Sequence, residues 1–145
     1  MSPTRTLARP MMAAMFITGG ADSLRNPGLR PDLVAKAGLD NADQLVKING
    51  ATMLAAGLTL ATGRLPRLSA LALAGTLVPT TLVGHPFWSE TDKAAKKQQQ
   101  IQFFKNLSML GGLLLAAADT GGRESLPHAA GRVTRRAKKK ASRAG

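Results

Sequence analysis

A run of 22 residues without Asp, Glu, Lys or Arg, 68–89, constrains the fold of this chain more than any other feature. A helix rises 1.5 Å per residue, so about 20 apolar residues are needed to cross roughly 30 Å of hydrocarbon. The run meets that length. It closes on His85-Pro86-Phe87-Trp88, where a helix stop is followed by two aromatic rings suited to a headgroup interface. The run therefore predicts a membrane-spanning helix.

Three further apolar segments contain shorter charge-free runs, at 10–21, 48–63 and 106–118. They reach spanning length only by including charged residues near their ends, where a lysine can snorkel to the interface or an acid can find a partner. In the second of these segments, small residues at helical spacing predict close contact with another helix: Ala51, Ala55, Ala56 and Gly57.

These segments predict an all-α fold, a four-helix transmembrane bundle formed by residues 1–120. The four spans are expected at about 8–24, 44–62, 67–86 and 101–118. Between the first two, residues 26–43 mix charges of both signs and predict an exposed loop with a short surface helix.

Two alternatives to this interpretation stay open. Arg5, Arg9 and the apolar run that ends at Ala21 also fit a cleavable signal peptide. A soluble four-helix bundle is the second alternative, although the segments lack the polar face that a helix of such a bundle shows. The absence of cysteine excludes disulfides, thiolate metal sites, thiol redox chemistry and cysteine-ligated iron–sulfur clusters.

The C-terminal segment 121–145 is basic and poor in large apolar residues, which predicts a disordered tail. Four spans place both termini on one side, with a net charge of +10 against +2 on the other. The positive-inside rule therefore predicts a multi-pass protein of the cytoplasmic membrane with both termini in the cytoplasm. The tail is expected to lie on anionic lipid headgroups, since it lacks the aromatic residues of a nucleic-acid-binding site.

Polar residues recur where one predicted span ends and the next begins. In an up-down-up-down bundle those ends share one level, opposite the termini. We therefore expect a polar pocket in that leaflet, in which Asp22 pairs with a lysine. The candidate residues are Asp22, Lys47, Asn49, His85, Lys105 and Asn106.

Such a pocket suits a polar headgroup or a quinone ring, or proton transfer through His85, an imidazole that titrates near neutral pH. The alternative is that the lysines snorkel, Asp22 caps its helix and His85 ends another. No catalytic motif is present, and no metal site is indicated, because His85 and His128 fall on opposite sides of the membrane.

A succession of short motifs resembles the DoxX family of bacterial membrane proteins. They are Arg9-Pro10, Gly19-Gly20-x-Asp22-x-x-Arg25-x-Pro27, Ile48-Asn49-Gly50, Gly63-Arg64-x-Pro66-Arg67, Pro79-Thr80-Thr81, Gly84-His85-x-Phe87-Trp88, Phe103-x-Lys105-Asn106 and Gly111-Gly112. The resemblance covers about residues 7–120 and implies four spans in the bacterial cytoplasmic membrane. It supplies no catalytic residue.

The family's association with quinone-linked respiration and oxidative-stress assemblies implies a non-catalytic membrane subunit or anchor. Such a subunit would have an oxidoreductase partner and a quinone as its candidate ligand. Two other functions stay open. One is a small transporter or lipid-binding protein that uses the polar pocket, and the other is a scaffold that recruits partners through its basic tail.

Overall fold

The computed structural model of the protein describes residues 3–119, so the predicted tail lies outside the described residues. The chain forms five α-helices over this range and contains no strand in it, which confirms the all-α class. A single 3-10 turn, Phe87–Ser89, follows the fourth helix. The helices are α1 Pro3–Arg25, α2 Arg30–Lys36, α3 Ala42–Ala61, α4 Pro66–Gly84 and α5 Lys93–Ala118.

Local sequence explains where these helices begin and end. Gly63, at φ 71°, turns the chain after α3, and Pro66 opens α4 at a position where its missing N–H costs nothing. Asp92 caps α5 by accepting a hydrogen bond of 2.8 Å from the Ala95 N–H. The short helix predicted within 26–43 is confirmed as α2, which buries none of its residues.

The four long helices pack in the order α1, α3, α4, α5, and α1 touches α5 only lightly. Their core is built from apolar side chains that point between the helices. The largest fully buried ones are Phe16, Leu60, Leu73 and Leu113, one from each long helix.

The closest helix pair is α1 against α3, and glycines allow its approach. A Cβ atom on Gly20 would lie 2.6 Å from the carbonyl oxygen of Gly50, and one on Gly57 would lie 2.8 Å from a side-chain carbon of Ile17. Of the small residues predicted to make this contact, Ala56 and Gly57 are buried. Ala51 and Ala55 are exposed, so that part of the prediction is wrong.

Large hydrophobic side chains also cover much of the outer surface. The two most exposed are Met11 (77%) on α1 and Leu115 (76%) on α5. Within the described residues, two helical segments are long and apolar enough to cross a membrane, Pro66–Ser89 and Lys93–Ala118. Most residues of the second segment are not buried by the other described helices. This is expected for a helix that faces lipid rather than a protein core.

Candidate functional site

Asp22 lies in the last turns of α1 and forms an ion pair that the sequence did not indicate. Its Oδ2 accepts a hydrogen bond of 2.6 Å from Nη2 of Arg30 at the start of α2. The helix breaks after Arg25 and the chain turns at Gly28 and Leu29, and a second nitrogen of Arg30 donates to the carbonyl of Asn26. Both charged groups remain partly exposed to water. The ion pair therefore connects the end of α1 to the start of α2 at a solvent-accessible position.

Asn49 lies two turns into α3 and joins it to α4. Its Nδ2 donates a hydrogen bond of 3.1 Å to Oγ1 of Thr80, and it also lies 3.5 Å from the sulfur of Met53. Thr80 in turn donates to the carbonyl of Thr76. Lys47, two residues before Asn49, is exposed and makes no ion pair within residues 3–119.

His85 ends α4 and is held against α5. Its Nδ1 lies 2.7 Å from Oε1 of Gln99, and the ring donates this hydrogen bond in the tautomer that carries the proton on Nδ1. His85 is half-buried, as is Gln99. The end of α4 therefore meets α5 about two turns after α5 begins at Lys93.

An aromatic cluster lies directly beyond His85. Phe87 packs edge-on against Trp88 and Phe103, with ring centroids 5.3 Å apart in both pairs. Trp88 lies 5.9 Å from Phe103, and Phe104 completes the group. Four of the chain's five aromatic residues meet here, so the 3-10 turn folds back onto α5.

Lys105 and Asn106 lie near the middle of α5, because this helix begins at Lys93 and the predicted span 101–118 is only its C-terminal part. Lys105 is exposed, and its Nζ donates to Oε1 of Gln102 on the same helix. Asn106 is only 5% exposed, and its side chain makes no hydrogen bond within the described range. Asn106 is therefore the most buried of the six candidate residues and the one whose amide is available.

The structure gives most of the candidate residues separate partners. Asp22 contacts Arg30, Asn49 contacts Thr80, His85 contacts Gln99, and Lys105 contacts Gln102. The expected pairing of Asp22 with a lysine is not among the ion pairs of residues 3–119. No group of three or more His, Asp or Glu side chains suited to a metal ion occurs in the same range.

Sequence reasoning predicted none of these four partners. Three of them lie on a different helix from the candidate residue, namely Arg30, Thr80 and Gln99. The Pro27-Gly28 break was a usable signal for Arg30, because a chain that reverses there returns within reach of Asp22. The other two depend on the rotation of one helix against another. On α5, Gln99, Phe103 and Asn106 are spaced i, i+4 and i+7, so they share one face.

The apolar exterior and the two segments of spanning length define an all-helical protein of membrane type. The sequence model of the DoxX family matches residues 4–86, more than half of the chain, so the protein belongs to the DoxX family. The matched range takes in α1 to α4 and ends before the aromatic cluster and α5. Comparison with the curated proteins and with the solved structures gives no match.

Proposed function

We propose that the protein crosses the bacterial cytoplasmic membrane four times, through α1, α3, α4 and α5, with both termini in the cytoplasm. Family membership and the apolar outer surface support this placement. The length of α4 also supports it, because 19 residues rise about 28 Å, close to the hydrocarbon thickness. The first turns of α5 then reach into the headgroup region, where Lys93, Lys96 and Lys97 are hydrated.

Within this membrane we propose a non-catalytic subunit or anchor of a redox or oxidative-stress assembly, with a quinone as its small-molecule ligand. The observation that carries the ligand proposal is Asn106, a residue only 5% exposed whose amide makes no hydrogen bond within residues 3–119. It lies on the α5 face that also presents Phe103 and the His85-bound Gln99. A quinone has two carbonyl acceptors and a flat ring, which amide donors and aromatic edges complement.

The only tryptophan of the chain makes this proposal measurable. Trp88 lies in the aromatic cluster, and quinones quench indole fluorescence on contact. We expect saturable quenching when menaquinone or ubiquinone is added to the purified full chain in nanodiscs. Asn106→Leu should weaken that quenching. Gln100→Leu, an amide-to-leucine change at an exposed position of α5, should leave it unchanged.

Two results would contradict the quinone proposal. One is quenching that rises linearly with quinone and never saturates, since this reports partition into lipid alone. The other is equal quenching of both variants. His85→Ala and Lys105→Ala extend the test, because loss of binding at normal membrane levels implicates the polar residues. A parallel fall in membrane levels would assign them a structural role.

Co-purification of the full chain in mild detergent tests the subunit role. A reproducible oxidoreductase partner supports the proposed assembly. A partner that is lost on deletion of 123–145 supports a scaffold that acts through the basic tail. Weaker binding of that deletion to vesicles of phosphatidylglycerol would support our proposal that the tail contacts anionic headgroups. The absence of any partner would favour a small transporter or lipid-binding protein.

A further inference from the structure

A groove runs between α1 and α5 on the side of the protein where these helices barely meet. It is formed by two adjoining cavities of about 300 Å³ and about 460 Å³, which share Met12 and Gly112. The first cavity lies near the start of α1 and the end of α5, and the second lies closer to the middle of both helices. We call this feature the α1–α5 groove, lined by Arg5, Arg9, Met12, Met109, Gly112 and Leu115.

The dimensions of the α1–α5 groove suit one lipid chain. Its lining on α5 extends from Ser108 to Asp119, which corresponds to about 16 Å of helix. One leaflet contributes about half of the 30 Å hydrocarbon thickness. The groove therefore covers the depth of a single leaflet, the one that holds the ends of α1 and α5 in the proposed topology.

The walls of the groove are apolar and have no partner among residues 3–119. Met11 and Leu115, the two most exposed large hydrophobic residues of the described chain, stand on its two sides. Gly112 lies on its floor, and an added Cβ there would meet only the terminal methyl group of Met12, at 3.1 Å. A flexible hydrocarbon chain fits this surface, because it fills the space without requiring polar contacts.

Charged residues are concentrated at the end of the groove where α1 begins and α5 ends. Arg5 forms a two-point contact with Asp119, through Nε at 2.7 Å and Nη2 at 3.1 Å. Arg67 donates from Nε to the carbonyl of Ala117 beside this pair, at 2.8 Å. Arg9 stands one helical turn deeper than Arg5, is half-buried, and has no ion pair or hydrogen bond among the described residues.

A half-buried guanidinium without a partner is costly at a membrane surface and is well shaped to hold a phosphate through two parallel hydrogen bonds. We propose that the α1–α5 groove binds one anionic phospholipid, with its phosphate on Arg9 and one acyl chain along Met12 and Gly112. The net charge of +2 from Arg5, Arg9, Arg67 and Asp119 favours an anionic headgroup over a zwitterionic one. This inference rests on the proposed membrane placement and is independent of any redox role.

Native mass spectrometry of the full chain, released from nanodiscs of equal parts phosphatidylglycerol and phosphatidylcholine, tests the headgroup contact. We expect the wild-type protein to retain phosphatidylglycerol preferentially. Arg9→Gln should lower the retention ratio about fivefold, the equivalent of one cation at the surface. Arg25→Gln removes the same charge from an exposed position at the other end of α1 and should leave the ratio unchanged. Both variants keep the basic tail, so its contribution cancels.

A second matched pair of variants tests whether the acyl chain lies over Gly112. Gly112→Leu fills the groove and should reduce the number of retained lipids. Gly111→Leu adds the same side chain where a Cβ meets nothing within 4 Å, and retention should stay at the wild-type level. Equal lipid retention within either pair overturns the proposal, as does a stable dimer that retains no lipid. If alkaline washing strips the protein from cell membranes, the proposed membrane placement is wrong as well. Failure of lipid binding and failure of the membrane placement are therefore distinguishable.

Discussion

Gly20 of α1 and Gly50 of α3 bring two helix backbones into direct contact. A Cβ atom on Gly20 would lie 2.6 Å from the Gly50 carbonyl oxygen and 2.8 Å from the Leu54 nitrogen. A Cβ atom on Gly50 would lie 2.9 Å from that of Ser23. In lipid, helix association depends on such close backbone packing, because hydrocarbon tails provide no hydrophobic drive between helices. This contact is the reason that α1 and α3 form the tightest pair of the structure.

Gly20→Ala should therefore destabilise the protein even though alanine favours helix. The new methyl group meets backbone atoms that cannot rotate away, and overpacking of this kind costs about 1–3 kcal/mol. Gly75→Ala on α4 is the matched control, since a Cβ there meets nothing within 4 Å and alanine gains up to about 1 kcal/mol over glycine in a helix. In detergent, the midpoint temperature of thermal unfolding should fall for Gly20→Ala and should not fall for Gly75→Ala. A lower midpoint for both variants would contradict the contact.

The hydrogen bond between Asn49 and Thr80 should stabilise the packing of α3 on α4 modestly. Interhelical hydrogen bonds in membrane proteins average about 0.6 kcal/mol, because the separated helices also find partners. A double-mutant cycle of Asn49→Leu and Thr80→Val should give a coupling energy of about that size. Asn49→Leu paired with Thr62→Val, whose hydroxyl bonds only carbonyls of its own helix, should give none. Coupling that is absent from both pairs would count against the Asn49 contact.

A similar cycle decides which cation accompanies Asp22. The sequence predicted a lysine, whereas the structure pairs Asp22 with Arg30 across a break in the chain. Asp22→Asn should couple to Arg30→Gln by about 0.2–1 kcal/mol, the range for a solvent-accessible pair, and the coupling should shrink at high salt. Asp22→Asn and Lys47→Gln should be additive. Coupling of Asp22→Asn to Lys47→Gln, and not to Arg30→Gln, would support the pairing of Asp22 with a lysine that the sequence predicted.

The proposed topology can be tested on single cysteines, since the chain has none of its own. Ser89→Cys, after α4, should react with a membrane-impermeant maleimide in intact spheroplasts. Arg64→Cys, in the turn between α3 and α4, should react only after the membrane is made permeable. Both positions are exposed in the structure, so a difference in labelling reports the side of the membrane. Labelling in the reverse order would invert the topology, and equal labelling would exclude a single fixed orientation.

The amino-acid sequence alone determined the four long helices and the breaks between the first three, but it placed the start of the last one at about 101 instead of Lys93. Charge-free runs, Pro27 with Gly28, and Gly63 with Pro66 are local features, and local features set where a helix begins and ends. The motif succession also led to the DoxX family, which the family match over 4–86 supports. Both results depend on residues close together in the chain.

The tertiary structure decided which residues meet. Exposed Ala51 and buried Gly50 differ by one position, and only the rotation of α3 against α1 selects between them. The same rotation, together with the early start of α5, gives Asn49 and His85 partners that no spacing in the sequence marks. A helix repeats every 3.6 residues and a loop can fold back in many ways, so partner choice is a property of packing and not of local sequence.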